Sequence, residues 1–288
     1  MNRKYLSKTI QPIIFCVILL GAVSNAQNLL NNPESIVFDS DRNRYLVSNW
    51  GDGSIVQIDS NGVQSYFSTA IQKRYNVAGL YIFGDTLLAA SGDTLNSDTT
   101  GKGLTGFNLK TGEIIFHIPI PGIGLPNDIT SDKDGAIYLT DYWDDKLYKI
   151  KNHTPSVYIS KGILGYPNGM VYDSVNNRLL ILSVMGPGAP IISVDLNDSS
   201  VTTVINTELN GTDGIAMDKA GRIYISEWTT DQIFMYDSNF NDPPEVFSKD
   251  HNDPADIYYD KINHLLAIPN FTSNTIDLVT IYPKSGSE

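Results

Sequence analysis

Short apolar runs, separated by turns rich in Asp, Asn, Gly and Pro, make up nearly all of the chain after residue 26. Six of these runs open alike: Glu34-Ser-Ile-Val-Phe-Asp39, Ala78-Gly-Leu-Tyr-Ile-Phe83, Asn127-Asp-Ile-Thr-Ser-Asp132, Asn168-Gly-Met-Val-Tyr-Asp173, Asp213-Gly-Ile-Ala-Met-Asp218 and Ala255-Asp-Ile-Tyr-Tyr-Asp260. In the fifth unit Gly214–Met217 reads as an inner strand and Asp218-Lys-Ala-Gly221 as a turn. Arg222-Ile-Tyr-Ile-Ser226 then alternates polar and apolar residues as a second strand does, and Ile233–Tyr236 and Glu245–Ser248 supply a third and a fourth. Arg44–Ser48 with Ser54–Ile58, and Ala136–Thr140 with Lys146–Ile150, repeat the pattern in the first and third units. No amphipathic helix of three turns is readable after residue 26.

The openings recur every 41 to 49 residues. A period of about 40–45 residues with several short strands per unit is the mark of a β-propeller. The pattern therefore predicts an all-β, six-bladed β-propeller with four-stranded antiparallel blades. A two-sheet sandwich is the competing all-β arrangement, but about 24 strands in equal units exceed its usual seven to nine. The sixth unit ends on its third strand, Thr275–Tyr282, so residues 27–32 are the candidate for a strand that closes the ring. Equivalent positions of all blades converge on one axis. Glu34, Asn127, Asn168 and Asp213 should then meet there, with Ala78 and Ala255 at the other two positions. Four converging oxygen side chains, two of them anionic, suit a hard divalent cation. Polar residues lining a wet channel are the bland alternative, since Asn and Asp also favour turns for backbone reasons.

Composition narrows the setting. Arg3, Lys4 and Lys8, the apolar stretch Ile13–Leu20 and Val23-Ser-Asn-Ala26 have the layout of a secretory signal peptide cleaved after Ala26. The apolar stretch is well short of the ~20 residues that span a bilayer. The only Cys, Cys16, lies inside it, so residues 27–288 are expected to form a single disulfide-free domain, secreted or periplasmic. The chain carries 20 Lys and Arg against 32 Asp and Glu, a formal charge of −12. That balance argues against nucleic acid or an anionic membrane as a partner and favours cation capture weakly, since an acidic surface also simply keeps a protein soluble; the expected partner is a small-molecule substrate. A sequon, Asn210-Gly-Thr212, abuts Asp213, where a glycan would obstruct the site, so a host that does not N-glycosylate fits better.

Other features surround the predicted axis. Pro33, Pro126, Pro167 and Pro254 each precede an opening, and proline stiffens such a loop or simply ends the one before it. All three tryptophans share one repeat position: Trp50 and Trp143 fall sixteen residues after their openings, Trp228 fifteen, and Phe271 sixteen. They form either an aromatic rim that binds an organic ligand or wedges between blades. Residues 91–103 insert a polar, Gly-rich segment into the second unit, a lid or an inert loop, and Met185–Pro190 adjoins the same rim in the fourth. His117, His153 and His264 fall away from the openings; His251 precedes the sixth opening on the mouth side and reads as an exposed loop histidine, with a proton carrier as the alternative.

The order Glu34, Asn127, Asn168, Asp213 over blades one, three, four and five resembles the calcium-dependent six-bladed propeller hydrolases: the SMP-30/gluconolactonase group, the paraoxonases and the squid-type phosphotriesterase. It is most similar to the first, through Pro-Asn168-Gly-Met-Val-Tyr-Asp and Thr-Asp213-Gly-Ile-Ala-Met-Asp. The resemblance implies that Glu34, Asn168 and Asp213 hold a calcium ion and that Asn127 helps hold metal or substrate. The chain departs from that group at Leu125, where sugar lactonases tend to carry Arg, and at Ser35-Ile36, where they carry Gly-Pro. It departs from the paraoxonases at Gly214, and only His251 is available for their histidine dyad. The strand and turn pattern also resembles NHL-repeat propellers.

The function expected on these grounds is an exported, divalent-metal-dependent lactonase or esterase. Asp213 would be the catalytic base. Asn127, Asp128, Trp50, Trp143, Trp228 and Phe271 would contact a substrate less polar than a free sugar lactone. A non-catalytic NHL-like propeller that binds a ligand or protein, and a phosphotriesterase-like hydrolase, are the alternatives.

Overall fold

A computed structural model describes residues 27–69, 75–94, 101–185 and 188–282. Residues 1–26, where a leader is expected, Asp98 and most of the inserted segment, and Gly186-Pro187 of the second rim segment lie outside the described residues. What is described is all β: six antiparallel sheets in chain order, spanning 33–68, 75–119, 126–159, 167–206, 212–248 and 258–280. Five have four strands in sequential order and the sixth has three. The inner strands contact one another in a closed circle, blade one touching blades two and six, so the sheets form a six-bladed propeller.

The strands begin where the polar pattern says they should. In the fifth blade the order is Thr212–Met217, Ile223–Glu227, Gln232–Tyr236 and Glu245–Ser248. An aspartate closes the inner strand in five blades, and in the third, fourth, fifth and sixth its carboxylate caps the following turn. Asp132 accepts the N–H groups of Asp134 and Ala136, and Asp218 those of Ala220 and Arg222, the Asx-turn chemistry that makes Asp recur there. In blades one, four and five an arginine opening the second strand pairs with that aspartate, as Arg44 Nε does with Asp39 at 3.0 Å.

Blades pack through six apolar seams, one per neighbouring pair. Val37, Leu46 and Ile55 of the first blade meet Val77, Leu87 and Phe107 of the second, and so on round to Ile36, Val47 and Val56 against Ala267 of the sixth. Because both faces of each sheet are buried, second strands such as Leu179–Leu182 read as continuous apolar runs rather than alternating ones.

Ring closure differs from the expected strand. Residues 27–32 run as irregular chain, because Gln27-Asn-Leu-Leu-Asn-Asn32 is rich in asparagines that bond side chain to backbone instead. Leu29 and Leu30 fill the seam between blades six and one. Asn28 Nδ2 donates to Asn274 O at 2.9 Å, Asn32 N to Asn274 Oδ1 at 2.7 Å, and Leu29 N to Gln64 Oε1 at 2.7 Å. His251 is not an exposed loop histidine either: it is 6% exposed, with Nδ1 2.7 Å from Asp277 Oδ2 and Nε2 2.9 Å from Ser248 Oγ. Its imidazole clasps blade five to blade six.

Candidate functional site

The opening residues reach the axis because each ladder is interrupted beside them. In blade one Pro33 pairs with Asn49 and the next pair is Ile36 with Val47; in blade five Thr212 pairs with Glu227 and the next is Ile215 with Ile225. Blades three and four break at the same place. Such a bulge re-aims the side chains it carries. Three hydroxyls lock the break. Ser48 Oγ accepts from Ser35 N and donates to Ala78 O, Thr140 Oγ1 accepts from Asp128 N and donates to Asn168 O, and Ser226 Oγ accepts from Gly214 N and donates to Ala255 O. Each stitches its own inner strand to that of the next blade. The approach is close enough to demand glycine: a Cβ on Gly214 would lie 2.4 Å from Ile257 N, and one on Gly169 2.4 Å from Asp213 O.

Glu34, Asn127, Asn168 and Asp213 come together as expected, lining one pocket of about 380 Å³ at the mouth of the axis. Its walls are Trp50, Leu125, Tyr142, Val184, Trp228 and Phe271. Trp50, Trp228 and Phe271 are therefore placed at the site, and Trp228 and Phe271 pack ring to ring at 5.2 Å. Trp143 is not: it is 47% exposed, with the Lys102 ammonium 5.4 Å over its ring. Tyr142 takes the wall position instead. Trp50 N donates to Asn32 O, Tyr142 N to Leu125 O, Val184 N to Tyr166 O, Trp228 N to Gly211 O and Phe271 N to Asp253 O, so these five are true equivalents. Each follows the residue that ends a second strand, namely Asn49, Asp141, Ser183, Glu227 or Asn270. Counting from the opening misplaced blade three by one residue; counting from that polar residue finds Tyr142. In blade two the position is Gly92, and a Cβ there would sit 3.4 Å from both Trp50 and Leu125.

The strand-end residues also hold the loops that deliver the openings. Asp141 accepts from Gly124 N and Leu125 N ahead of Asn127, and Asn49 Oδ1 accepts from Asn31 N ahead of Glu34. These braces were not singled out from the sequence.

Asp128 lies outside the mouth pocket. With Asp256 it lines a second chamber of about 290 Å³, formed by residues further along the same inner strands. Asp128 accepts from Ile129 N at 2.6 Å and Met170 N at 2.5 Å, tying blade three to blade four. Asp256 accepts from Ser35 Oγ at 2.6 Å, tying blade six to blade one.

Four buried carboxyls thus share the axis, and each is held above the ordinary carboxylate range. Burial is the largest cause for all four. Glu34 is raised further by the charges of Asp213, Asp256 and Asp128. Asp256 is raised well above its usual value, with Asp128 the next cause. Asp213 is pushed up to about 7 by burial, with the Trp228 indole and the Asn168 amide pulling it back; Asp128 is also near 7. In the mouth, Glu34 Oε2 and Asn168 Oδ1 are buried with no hydrogen-bond partner. Asn168 Nδ2 donates to Thr212 O at 3.3 Å, which turns its oxygen toward the pocket. Among the described residues no three His, Cys, Asp or Glu side chains form a metal cluster. The mouth set has two carboxylates and two amides, an oxygen-only set that suits calcium and would not suit zinc. Orphaned acceptors plus mutually repelling buried carboxyls are the condition a hard cation relieves.

No family model matches the chain, and no curated protein matches it significantly. Solved structures do. A gluconolactonase from Xanthomonas campestris superposes with a TM-score of 0.70 at 14% identity, over 86% of this chain and 86% of that one. A streptogramin B lyase gives 0.62 at 16% identity, over 88% and 84%. Virginiamycin B lyase from Staphylococcus aureus gives 0.58 at 17%, over 88% and 85%. The chain is similar to all three in architecture, and it has the six-bladed β-propeller fold of the gluconolactonase-like structures.

Proposed function

We propose that the chain is an exported, divalent-metal-dependent hydrolase acting on an ester or lactone. The observation that carries this reading is the pair of unpartnered buried oxygens, Glu34 Oε2 and Asn168 Oδ1, beside Asp213 on the floor of an aromatic pocket. Glu34, Asn127, Asn168 and Asp213 would hold the cation, with calcium the ion their chemistry favours. When bound, it would polarise the scissile carbonyl and favour the ionised form of Asp213. Asp213 takes a proton from water as the water oxygen bonds to the carbonyl carbon, and returns it to the departing alcohol oxygen as the C–O bond breaks. Ester and water become acid and alcohol, with no other reactant. Trp50, Phe271 and Leu125 exclude bulk water from this step, which strengthens every charge interaction inside the pocket. The likeness to a gluconolactonase supports the lactone class, while Leu125 and the apolar walls favour a less hydroxylated substrate.

The test is metal analysis of the purified mature protein with hydrolysis of lactones and aryl esters in calcium and in chelator. Bound calcium with chelator-sensitive turnover is the expected result. Neither metal nor turnover would leave the propeller a binding module of the NHL-like kind.

A further inference from the structure

Two orphaned acceptors in the mouth pocket point to a cation; two orphaned donors there point to something else. Trp228 Nε1 and Thr212 Oγ1 are both buried without a hydrogen-bond partner, and both residues line the mouth pocket. A buried donor left unmade costs on the order of 1–3 kcal/mol, so two in one pocket are informative. They sit side by side in blade five. Thr212 pairs with Glu227 across the ladder, and Trp228 N donates to Gly211 O. The indole N–H is directed at Asp213 as a weak donor that lowers its pKa, but the geometry falls short of a well-formed hydrogen bond and leaves the donor open to a better-placed acceptor. A cation held by Glu34, Asn127, Asn168 and Asp213 would not satisfy the indole, which is donor only, and could meet the Thr212 hydroxyl only through its oxygen, leaving both hydrogens unused. A ligand oxygen would satisfy both.

The walls define the rest of that ligand. Among the described residues that line the pocket there is no Lys, Arg or His, so an anionic group finds no side-chain counter-charge. Apart from the floor residues, the side-chain polar atoms that line it among the described residues belong to Trp50, Tyr142, Thr212 and Trp228, too few to satisfy a ring of hydroxyls. The tilted Trp228–Phe271 pair and Trp50 offer flat apolar surface instead.

We propose that Trp228 Nε1 and Thr212 Oγ1 bind the carbonyl or leaving-group oxygen of the substrate, and that this substrate is a neutral ester or lactone with an aromatic or branched aliphatic body. The assignment of a reacting oxygen rests on the hydrolytic reading above; the binding it requires is measurable without turnover. The probe is a phenyl-substituted valerolactam, whose amide carbonyl mimics the lactone and is not hydrolysed. It is titrated by calorimetry, in calcium, into the mature wild-type protein and into Trp228→Phe and Thr212→Val. The first keeps the ring and removes the N–H; the second keeps the shape and removes the hydroxyl.

Each variant is expected to bind the lactam about tenfold more weakly while its calcium affinity stays within about threefold of wild type. A polyhydroxylated gluconolactam is expected to bind at least tenfold more weakly than the phenyl lactam. Equal lactam affinity in wild type and both variants would overturn the proposal. So would tighter binding of the gluconolactam, or no lactam binding to the wild type at all. Donor-dependent lactam binding with no ester or lactone turnover would support the donor assignment and remove the hydrolytic reading alone.

Discussion

The axis of this propeller holds two chambers with two buried acids each, and only one looks like a reaction site. In the second chamber both acids are spent on the fold: Asp128 accepts the amides of Ile129 and Met170, and Asp256 accepts the Ser35 hydroxyl. In the mouth, Glu34 Oε2, Asn168 Oδ1, Trp228 Nε1 and Thr212 Oγ1 have no partner, although all are buried. Residue type, burial and raised pKa are the same in both places. What separates them is whether the polar atoms are already satisfied. Perturbed pKa values alone would have nominated all four acids, because ion-dense structural ties shift a carboxyl as effectively as catalytic sites do.

The comparison breaks most sharply by substitution. Asp213→Asn is expected to lower kcat by about 10³-fold and to weaken calcium, since it removes the proton acceptor and one of two anionic ligands. Asp128→Asn should leave calcium stoichiometry unchanged but place an amide N–H against the Met170 or Ile129 N–H. One unmade buried donor then lowers Tm by roughly 3–10 °C. Equal loss of turnover in the two variants, by steady-state kinetics, would erase the distinction between the chambers.

Backbone approach gives the next effect. Gly214→Ala puts a methyl 2.4 Å from Ile257 N, and the Asp256 Cα is no more yielding at 2.6 Å. Thermal melting should show a loss of roughly 10 °C or failure to accumulate. Ala at Gly92, which meets only side chains at 3.4 Å, should be tolerated.

Titration sharpens the same contrast. All four axial carboxyls are raised in the folded chain, Asp128 and Asp213 to about 7, so the fold binds more protons than the unfolded chain does above the ordinary carboxylate range. The stability they contribute is complete below pH 4 and is lost as pH rises through 7. In chelator, the melting temperature is expected to fall by roughly 5 °C or more between pH 5 and pH 8. In millimolar calcium it should hold or rise, because the cation binds the ionised mouth carboxylates. A melting temperature in chelator that rises over that interval would contradict the shared buried charge.

The smallest effect belongs to the rim. Trp50→Ala should raise KM for an aryl ester about tenfold, whereas Trp143→Ala, outside the pocket, should change it less than twofold.

Much of this was legible in the sequence because a propeller repeats. The openings set the register, the strands of blade five were readable nearly to the residue, and Glu34, Asn127, Asn168 and Asp213 fall where equivalent positions must meet. The failures came where the period is not the relevant ruler. Trp143 shares a count with Trp50, but Asp141 holds the loop at 124–125 and leaves Tyr142 as the inward residue. Asp128 adjoins an opening residue, yet strand alternation sends it to the other chamber. His251 stands in a loop, and nothing local announces that Ser248 and Asp277 will enclose it. The stitching hydroxyls of Ser48, Thr140 and Ser226 were visible as a repeat in alternate blades, but their purpose appears only when neighbouring inner strands are placed.

The central claim is that the mouth oxygens, and not the second chamber's, hold a cation. Calorimetric titration of calcium into the chelator-stripped mature protein tests it, alongside Glu34→Gln and Asp128→Asn. The account predicts one site in the wild type, retained in Asp128→Asn and weakened at least tenfold in Glu34→Gln. Absence of binding in the wild type, or a site lost in Asp128→Asn and kept in Glu34→Gln, would contradict it.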